Sequence, residues 1–494
     1  MSQKLESPPA GLLTVDASRP LFGRIVYVLR KHYIHSFRVN QKYDTIIVGL
    51  GSAGTTAAST LAKAGKRVLA LEAQDRVGGR VHTVQFGDGV VELGAEWIHG
   101  IEKSRVYGTA ITNNITIHRQ EFDVRVYRSD GALGNAGVFD DLITFCLDAM
   151  DEPSGEAEPL GKYITGKLLP YMENKYPELR NDKDFMEEFL DIVNKVVDRH
   201  EGSNDWNDAT SNSNYELLGG SQEMSWHRHG YKTFFELLLN TYKNGPGWPT
   251  LDIKLNKEVK LIKWPRDSSG DVEVTCADGS VFTADNVIVT VSLGVLKERH
   301  QALFSPALPD EKVTAIEKIP IGVVGKIILS FAERWWPEKA AYIFQWLKPD
   351  KEKYEKWQVG LKDISAIKGS DNTLKIWTIG EATKLIETLP EDVVKAKSME
   401  VVRMFLGKNM TIPEPTGVLR TTWFSNPFTR GCYSYDNLLM AKHPSARADL
   451  GAPLTNSEGV LRVLFAGEAT DLTHFSTVHG ASDSGYREAM RLLS

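Results

Sequence analysis

Only three cysteines, Cys146, Cys276 and Cys432, occur in 494 residues, and no two of them form a CxxC pair. That argues against a disulfide-stapled scaffold and a thiolate metal centre, and leaves free thiols and no bound metal as the expectation. Long apolar runs are missing too: nothing approaches the ~20 residues of a membrane span. The first twenty residues lack the apolar core of a secretory signal, and the terminal LLS is not a peroxisomal tripeptide. No membrane anchor is expected, and the expected compartment is the cytoplasm. Positive charge is outnumbered, with Lys+Arg 58 against Asp+Glu 64 and a net charge of −6. Nucleic acid is therefore not an expected partner. Neither internal repeats nor low-complexity tracts are found, and oligomeric state is left open. Residues 1–42 read as a leader, peripheral or flexible. Within it GRIVYVLRKHYIHSFRV (23–39) is basic and mixed with apolar residues, so a targeting or membrane-surface role stands beside a peripheral helix.

What is present is a globular composition, 42% hydrophobic and 25% charged, long enough for two or three domains. DTIIV (44–48) is the β-branched run of a buried parallel strand. Gly49, Gly51 and Gly54 follow it directly in GxGxxG spacing. The first permits the tight turn, the second lets backbone approach a pyrophosphate, and the third lets the helix pack on the strand. TTAASTLAKAG is that helix, closed by Gly65. RVLALE is the next strand, and its last residue, Glu72, is placed to accept hydrogen bonds from ribose hydroxyls. A lone GxGxxG is weak evidence. Set between strand, helix, strand and acid it is strong evidence for a dinucleotide, but it does not separate FAD from NAD.

Further along, residues 255–291 alternate like strands of hairpins, and 181–208 place Phe185, Phe189, Ile192, Val193 and Val196 at the spacing of an amphipathic helix with an acidic face. PIGVVGKIILSF (320–331) holds a single lysine, Lys326, in an apolar strand-like run. Near the C-terminus, LRVLFAGEAT reads as a strand and a Gly-Glu turn, and STVHGASDSGYREAMRLL as a helix.

The residues beyond Glu72 carry a resemblance. AQDRVGGRVHT, VELGAEWIHG, WFSNPFTRGCYSYDN and the C-terminal LRVLFAGEAT together resemble the flavin-containing amine oxidases, and among them polyamine oxidases of the animal spermine-oxidase type. The resemblance runs from about residue 43 to the C-terminus. It implies an α/β fold: a discontinuous Rossmann-like FAD-binding domain (43–125, 250–310 and 430–494) and an α+β substrate-binding domain (126–249 and 311–429) with a mixed sheet and helices. FAD is the implied cofactor. The implied cofactor contacts are Gly49, Gly51, Gly54, Glu72, Ala73, Gly79, Arg80, Gly94, Ala95, Glu96, Trp97, Val259, Trp423, Gly467, Glu468, Thr477 and Val478. Lys326 matches a lysine bound through water to flavin N5. His99 matches a histidine near the reacting amine, Tyr433 an aromatic flanking the flavin, and Thr477 the position of the second cage wall, which is tyrosine in monoamine oxidases. Trp97, Phe475 and Ser476 are the further substrate candidates. Glu96 is expected to face a cationic substrate only as a weaker alternative, and Cys432 is read as a plain thiol in preference to a covalent flavin link. The implied reaction is hydride transfer from the carbon beside nitrogen, with a polyamine and molecular oxygen as partners and hydrogen peroxide as product. An L-amino acid oxidase would need an arginine clamp, and no motif assigns one. A lysine demethylase of this fold would add a chromatin-binding domain and a long helical insertion. A non-catalytic FAD protein would be favoured if Lys326 or the Gly78-Gly79 pair were missing, and both are present.

Overall fold

The computed structural model describes residues 42–152 and 154–494. The reading of 1–42 as a leader, with its basic stretch at 23–39, lies outside the described residues.

Two sheets organise the chain. In the first, Tyr43–Val48 pairs in parallel with Val68–Leu71 on one side and with Val281–Val289 on the other. Leu251–Lys254 continues the sheet beyond Val68–Leu71, and Leu461–Phe465 pairs in parallel with Val281–Val289. Parallel strands covered on both faces read as unbroken apolar runs. Ile46, Ile47, Val48, Val287, Ile288 and Val289 are accordingly all buried. The alternating segment at 255–291 forms the antiparallel strands Val259–Lys263 and Val272–Cys276 leading into Val281–Val289. One face of this sheet carries the helices Ser52–Lys63 and Val478–Leu493. Small residues let the two helices approach closely. Ser52 Oγ donates to the Val478 carbonyl at 2.9 Å, and the Thr56 and Ser482 hydroxyls share a bond of 2.9 Å.

The second sheet has six strands, in the order Gly417–Arg420, Val324–Ser330, Ser370–Ile379, Asp363–Ile367, Ala340–Gln345 and Asp123–Arg128. One face, with Ile327, Leu329, Leu374 and Ile376, packs into a core with Val401, Val402 and Phe405 of the helix Glu391–Leu406. Side chains alternate along a strand, so Lys326, Lys375 and Trp377 share the opposite face. The register pairs Lys326 with Trp377 and Ile328 with Lys375.

The amphipathic segment forms the helix Lys183–Glu201. The Asp182 carboxylate caps it by accepting the Phe185 amide at 3.1 Å, and Gly202 ends it in the left-handed region at φ +80. Its acidic face is answered by cations of the second sheet and its loops: Asp191 pairs with Lys351 at 3.0 Å and Lys362 at 2.5 Å, and Glu187 with Lys348 at 3.1 Å. No helix among the described residues is long and apolar enough to cross a membrane.

Candidate active site

The glycine loop is built for close backbone approach. Gly49 has φ +96, and a Cβ at Gly54 would collide with the Gly49 carbonyl, so neither position accepts a side chain. Gly51 faces Gly79: a Cβ on Gly79 would lie 3.1 Å from the Gly51 Cα. The Gly78 amide donates to the Leu50 carbonyl at 2.7 Å, which locks the two loops together. Glu72 is buried behind them. One carboxylate oxygen accepts the Leu50 amide at 2.7 Å and the other the Gln74 amide at 2.9 Å. A carboxylate oxygen accepts two bonds, so each retains a lone pair for a ribose hydroxyl. The chain 254–257 runs beside Glu72, with Lys257 N donating to its carbonyl at 2.8 Å, and this places Val259 two residues further along the same edge. Ala73 continues directly from Glu72.

The C-terminal segment supplies the opposite wall. Gly467 has φ +142, and a Cβ there would meet no atom within 4 Å. A cavity lined by Arg80, Thr290, Ser292, Gly467 and Glu468 lies at this junction. The Glu468 carboxylate holds three elements together: it accepts from Arg80 at 3.0 Å, the Ser434 hydroxyl at 2.6 Å and the Ser476 amide at 2.9 Å. Burial opposes its charge, but Arg80 and these donors hold its pKa below the usual range. The terminal helix begins at Val478, and its first-turn N–H groups and dipole favour an anionic group. Open glycine backbone, a buried ribose-type acid and a helix N-terminus fit FAD.

Lys326 lies on a strand whose seven residues are all buried. Its Nζ donates to the carbonyls of Glu92 at 3.0 Å and Gly94 at 2.6 Å and to Glu96 Oε2 at 2.9 Å. An ammonium has three hydrogens, and all three are engaged, leaving none for the expected bridging water in this arrangement. The other oxygen of Glu96 is held by Lys375 Nζ. Burial opposes a charge on Glu96, but Lys326 and Lys375 pull its pKa down to about 2. Burial lowers Lys375 to about 8, against the pull of Glu96. Two lysines already answer the charge of Glu96, which was expected only as a weaker alternative to face a cationic substrate. Ala95, its neighbour, donates its amide to the Arg80 carbonyl at 3.2 Å.

Aromatic rings frame these lysines. Lys326 Nζ lies 4.6 Å from the Trp377 ring centre and Lys375 Nζ 4.5 Å from that of Trp97. Trp97 donates to Gln120 at 3.1 Å and meets His99 edge-on at 6.2 Å. Trp423 is buried and donates to the Leu93 carbonyl at 3.0 Å. His99, His200 and His479 lie within electrostatic reach of one another, and burial depresses all three pKa values, to about 4 for His200 and about 3 for His479. His200 is itself exposed at the helix end. These imidazoles are neutral at pH 7.

Tyr433 is fastened to the end of the helix Lys183–Glu201. Its hydroxyl donates to the Arg199 carbonyl and its ring lies over Gly202. The Cys432 thiol donates to the Val324 carbonyl at 3.2 Å, and burial pushes its pKa up to about 11. Three expected wall residues also make contacts that hold the local fold. The Thr477 hydroxyl donates to the His474 carbonyl at 2.7 Å and caps the terminal helix by accepting the Gly480 amide at 3.0 Å. Ser476 Oγ donates to the Ser434 carbonyl. Phe475 is 2% exposed and lies under the Arg447 guanidinium, 3.5 Å from its ring centre.

Sequence reasoning missed Lys375, Trp377 and the helix end Arg199–His200–Glu201. Glu201 has no hydrogen-bond or ion-pair partner among the described residues. Burial, with Asp436 and Asp151 nearby, raises its pKa to about 8, and it couples electrostatically to Tyr215 and Tyr433. The available signal was Gly202, a helix stop placed directly after Arg-His-Glu.

The family model described as flavin containing amine oxidoreductase matches residues 52–493. The chain belongs to this family, and FAD is its cofactor. Polyamine oxidase 1 of Zea mays is 30% identical over 99% of this chain and 96% of its own length. Peroxisomal N(1)-acetyl-spermine/spermidine oxidase of Homo sapiens is 30% identical over 91% of this chain and 94% of its own. A redesigned putrescine oxidase of solved structure has a TM-score of 0.64 at 18% identity, covering 92% of this chain and 99% of that one, and shares the fold. The protein is an FAD-dependent amine oxidase.

Proposed function

We propose that the chain oxidises polyamines, taking spermine or N1-acetylspermine and opening an internal C–N bond. The balanced reaction is secondary amine, oxygen and water to aminoaldehyde, shorter amine and hydrogen peroxide. FAD, when bound, supplies the hydride acceptor and passes the electrons to oxygen. The protein's part is to hold the amine, keep it neutral where it reacts, and exclude competing charge.

Glu201 is the observation that carries this reading. A carboxyl raised to about 8 with no cation beside it is stabilised by an arriving ammonium. A second ammonium of a polyamine supplies that charge, whereas benzylamine has none to offer. The neutral imidazoles of His99, His200 and His479 add no positive charge against the substrate. An amino acid oxidase would need a free arginine for the substrate carboxylate. Arg199, at the same helix end, is committed to Asp363 at 3.1 Å. The names of the Zea mays and Homo sapiens relatives support the polyamine class.

A peroxide-coupled assay with spermine, N1-acetylspermine, spermidine, benzylamine and leucine tests the reading. Spermine or N1-acetylspermine is expected to exceed benzylamine in kcat/KM by at least ~100-fold, about 2.7 kcal/mol at the transition state. Equal values for spermine and benzylamine, or activity on leucine alone, would overturn it.

A further inference from the structure

The sheet face behind the active site holds three cations and two carboxyls around one indole. Lys326, Lys375 and Arg199 lie 4.6, 5.5 and 6.0 Å from the Trp377 ring centre. Glu96 lies between the two lysines, one carboxylate oxygen to each. Arg199 is answered separately by Asp363. Lys375 is 1% exposed, its ammonium over the Trp97 ring and 5.9 Å from that of Phe122. The groups facing it are Glu96 from the segment 92–99, Lys326 from the adjacent strand, Arg199 from the helix Lys183–Glu201 and Asp363 from the strand Asp363–Ile367. Glu92, which faces Lys326 and Glu96, is raised to about 7 by burial.

A buried lysine is an expensive residue, and one carboxylate suffices for one lysine. Lys326 alone with Glu96 would form a closed ion pair. The second lysine divides the carboxylate between two cations and repels the first. We propose that Lys375 is a positioning residue for amine oxidation: through the Glu96 carboxylate that it shares with Lys326, it sets how firmly Lys326 is held and how readily it exchanges a proton. Lys375 reaches Lys326 through Glu96, whose carboxylate bonds both ammonium groups. The proposal rests on amine oxidation by this site and not on which polyamine is preferred.

A charge cycle tests it. Lys375→Met removes the competitor, so any pH limb of anaerobic flavin reduction that belongs to Lys326 moves to higher pH, by about one unit or more for charges sharing one carboxylate. Glu96→Gln leaves two lysines repelling each other, and the limb moves to lower pH. The double variant removes one charge of each sign and brings the limb back toward the wild-type pH, while Lys375→Arg, which keeps the cation, holds it there. Lys326→Met, as control, abolishes the limb. Structural damage would add in the double variant instead of cancelling.

A second readout uses the flavin-free protein. Lys375 titrates at about 8 in the fold, below the ~10.4 of an unfolded lysine. Between these values the unfolded chain binds the proton that the fold has lost, so the contribution of Lys375 to stability rises with pH there. The melting temperature of the wild type should show that rise and Lys375→Met should lack it. Identical limbs and identical melting profiles across the variants overturn the proposal. If Lys375→Met does not fold, Lys375→Gln takes its place, its limb upward for the proposal and unmoved against it. Absence of wild-type turnover on any amine would instead refute the amine-oxidation reading, and the melting profiles would still judge the lysine pair.

Discussion

Replacing Gly202 by alanine isolates how firmly the helix end holds Tyr433. Two costs arise. The residue sits at φ +80, where an L side chain costs about 1 kcal/mol. The added Cβ would also lie 2.6 Å from two ring carbons of Tyr433, where ordinary carbon contacts need ~3.5 Å. The ring must move by roughly 1 Å, and a misplacement of that size near the chemistry costs on the order of 10²-fold in rate. The ring cannot escape by swinging out, because its hydroxyl is bonded to the Arg199 carbonyl of the same turn. Gly65 provides the control: it also follows a helix, has φ +81, and its Cβ would meet nothing within 4 Å. Gly65→Ala should lower the melting temperature by at most about 2–4 °C for a ~1 kcal/mol cost and leave kcat/KM on spermine unchanged. Gly202→Ala should melt lower still and lose about 10²-fold in kcat/KM, measured on protein of equal FAD content. Equal melting temperatures for the two variants together with wild-type turnover by Gly202→Ala would remove Tyr433 from the site geometry.

Two further outcomes follow from the half-buried Glu201 and the buried Cys432. Glu201 titrates at about 8 in the fold, above the ~4.3 of an unfolded glutamate, so its destabilising effect is absent below about pH 4 and grows as pH rises toward 8. Glu201→Gln should therefore melt higher than the wild type at pH 8, and equally at pH 4, while losing kcat/KM on spermine; a lower melting temperature at pH 8 would refute the absence of a cation partner. Acid precipitation should release yellow FAD into the supernatant, because the Cys432 thiol is buried and bonded to the Val324 carbonyl. Colour retained in the pellet and lost in Cys432→Ser would show a covalent link.

The cofactor half of the site was legible because each of its demands is local. Gly49, Gly51 and Gly54 must lie in one short turn, and Glu72 must end the next strand. Lys326 stood out as one polar residue in an apolar strand. Lys375 did not, because TLKIWT alternates in the manner of a strand with one wet face, although both faces are covered. Glu96 and Lys375 explain each other only across 279 positions of sequence. Glu201 read as one more charge on an acidic helix, since the burial of a helix end depends on what packs there. Phe475, Ser476 and Thr477 were assigned to the wall by their place in a motif, which does not show that the Ser476 and Thr477 hydroxyls also bond backbone carbonyls and that the Phe475 ring lies against Arg447.

The pairing of Leu461–Phe465 with Val281–Val289, and of the terminal helix with Ser52–Lys63, also sets an order of events during synthesis. The glycine loop leaves the ribosome well before the residues that face it across the cofactor. At ~5–20 residues per second the interval is roughly 20–90 s. For the later part of that interval, roughly 9–35 s at the same rate, Val281–Val289 has no partner on its Leu461–Phe465 side, and an unpaired strand edge invites pairing with other chains. The cofactor cradle is therefore complete only once Gly467 and Val478 have joined the glycine loop, made roughly 400 positions earlier in the chain.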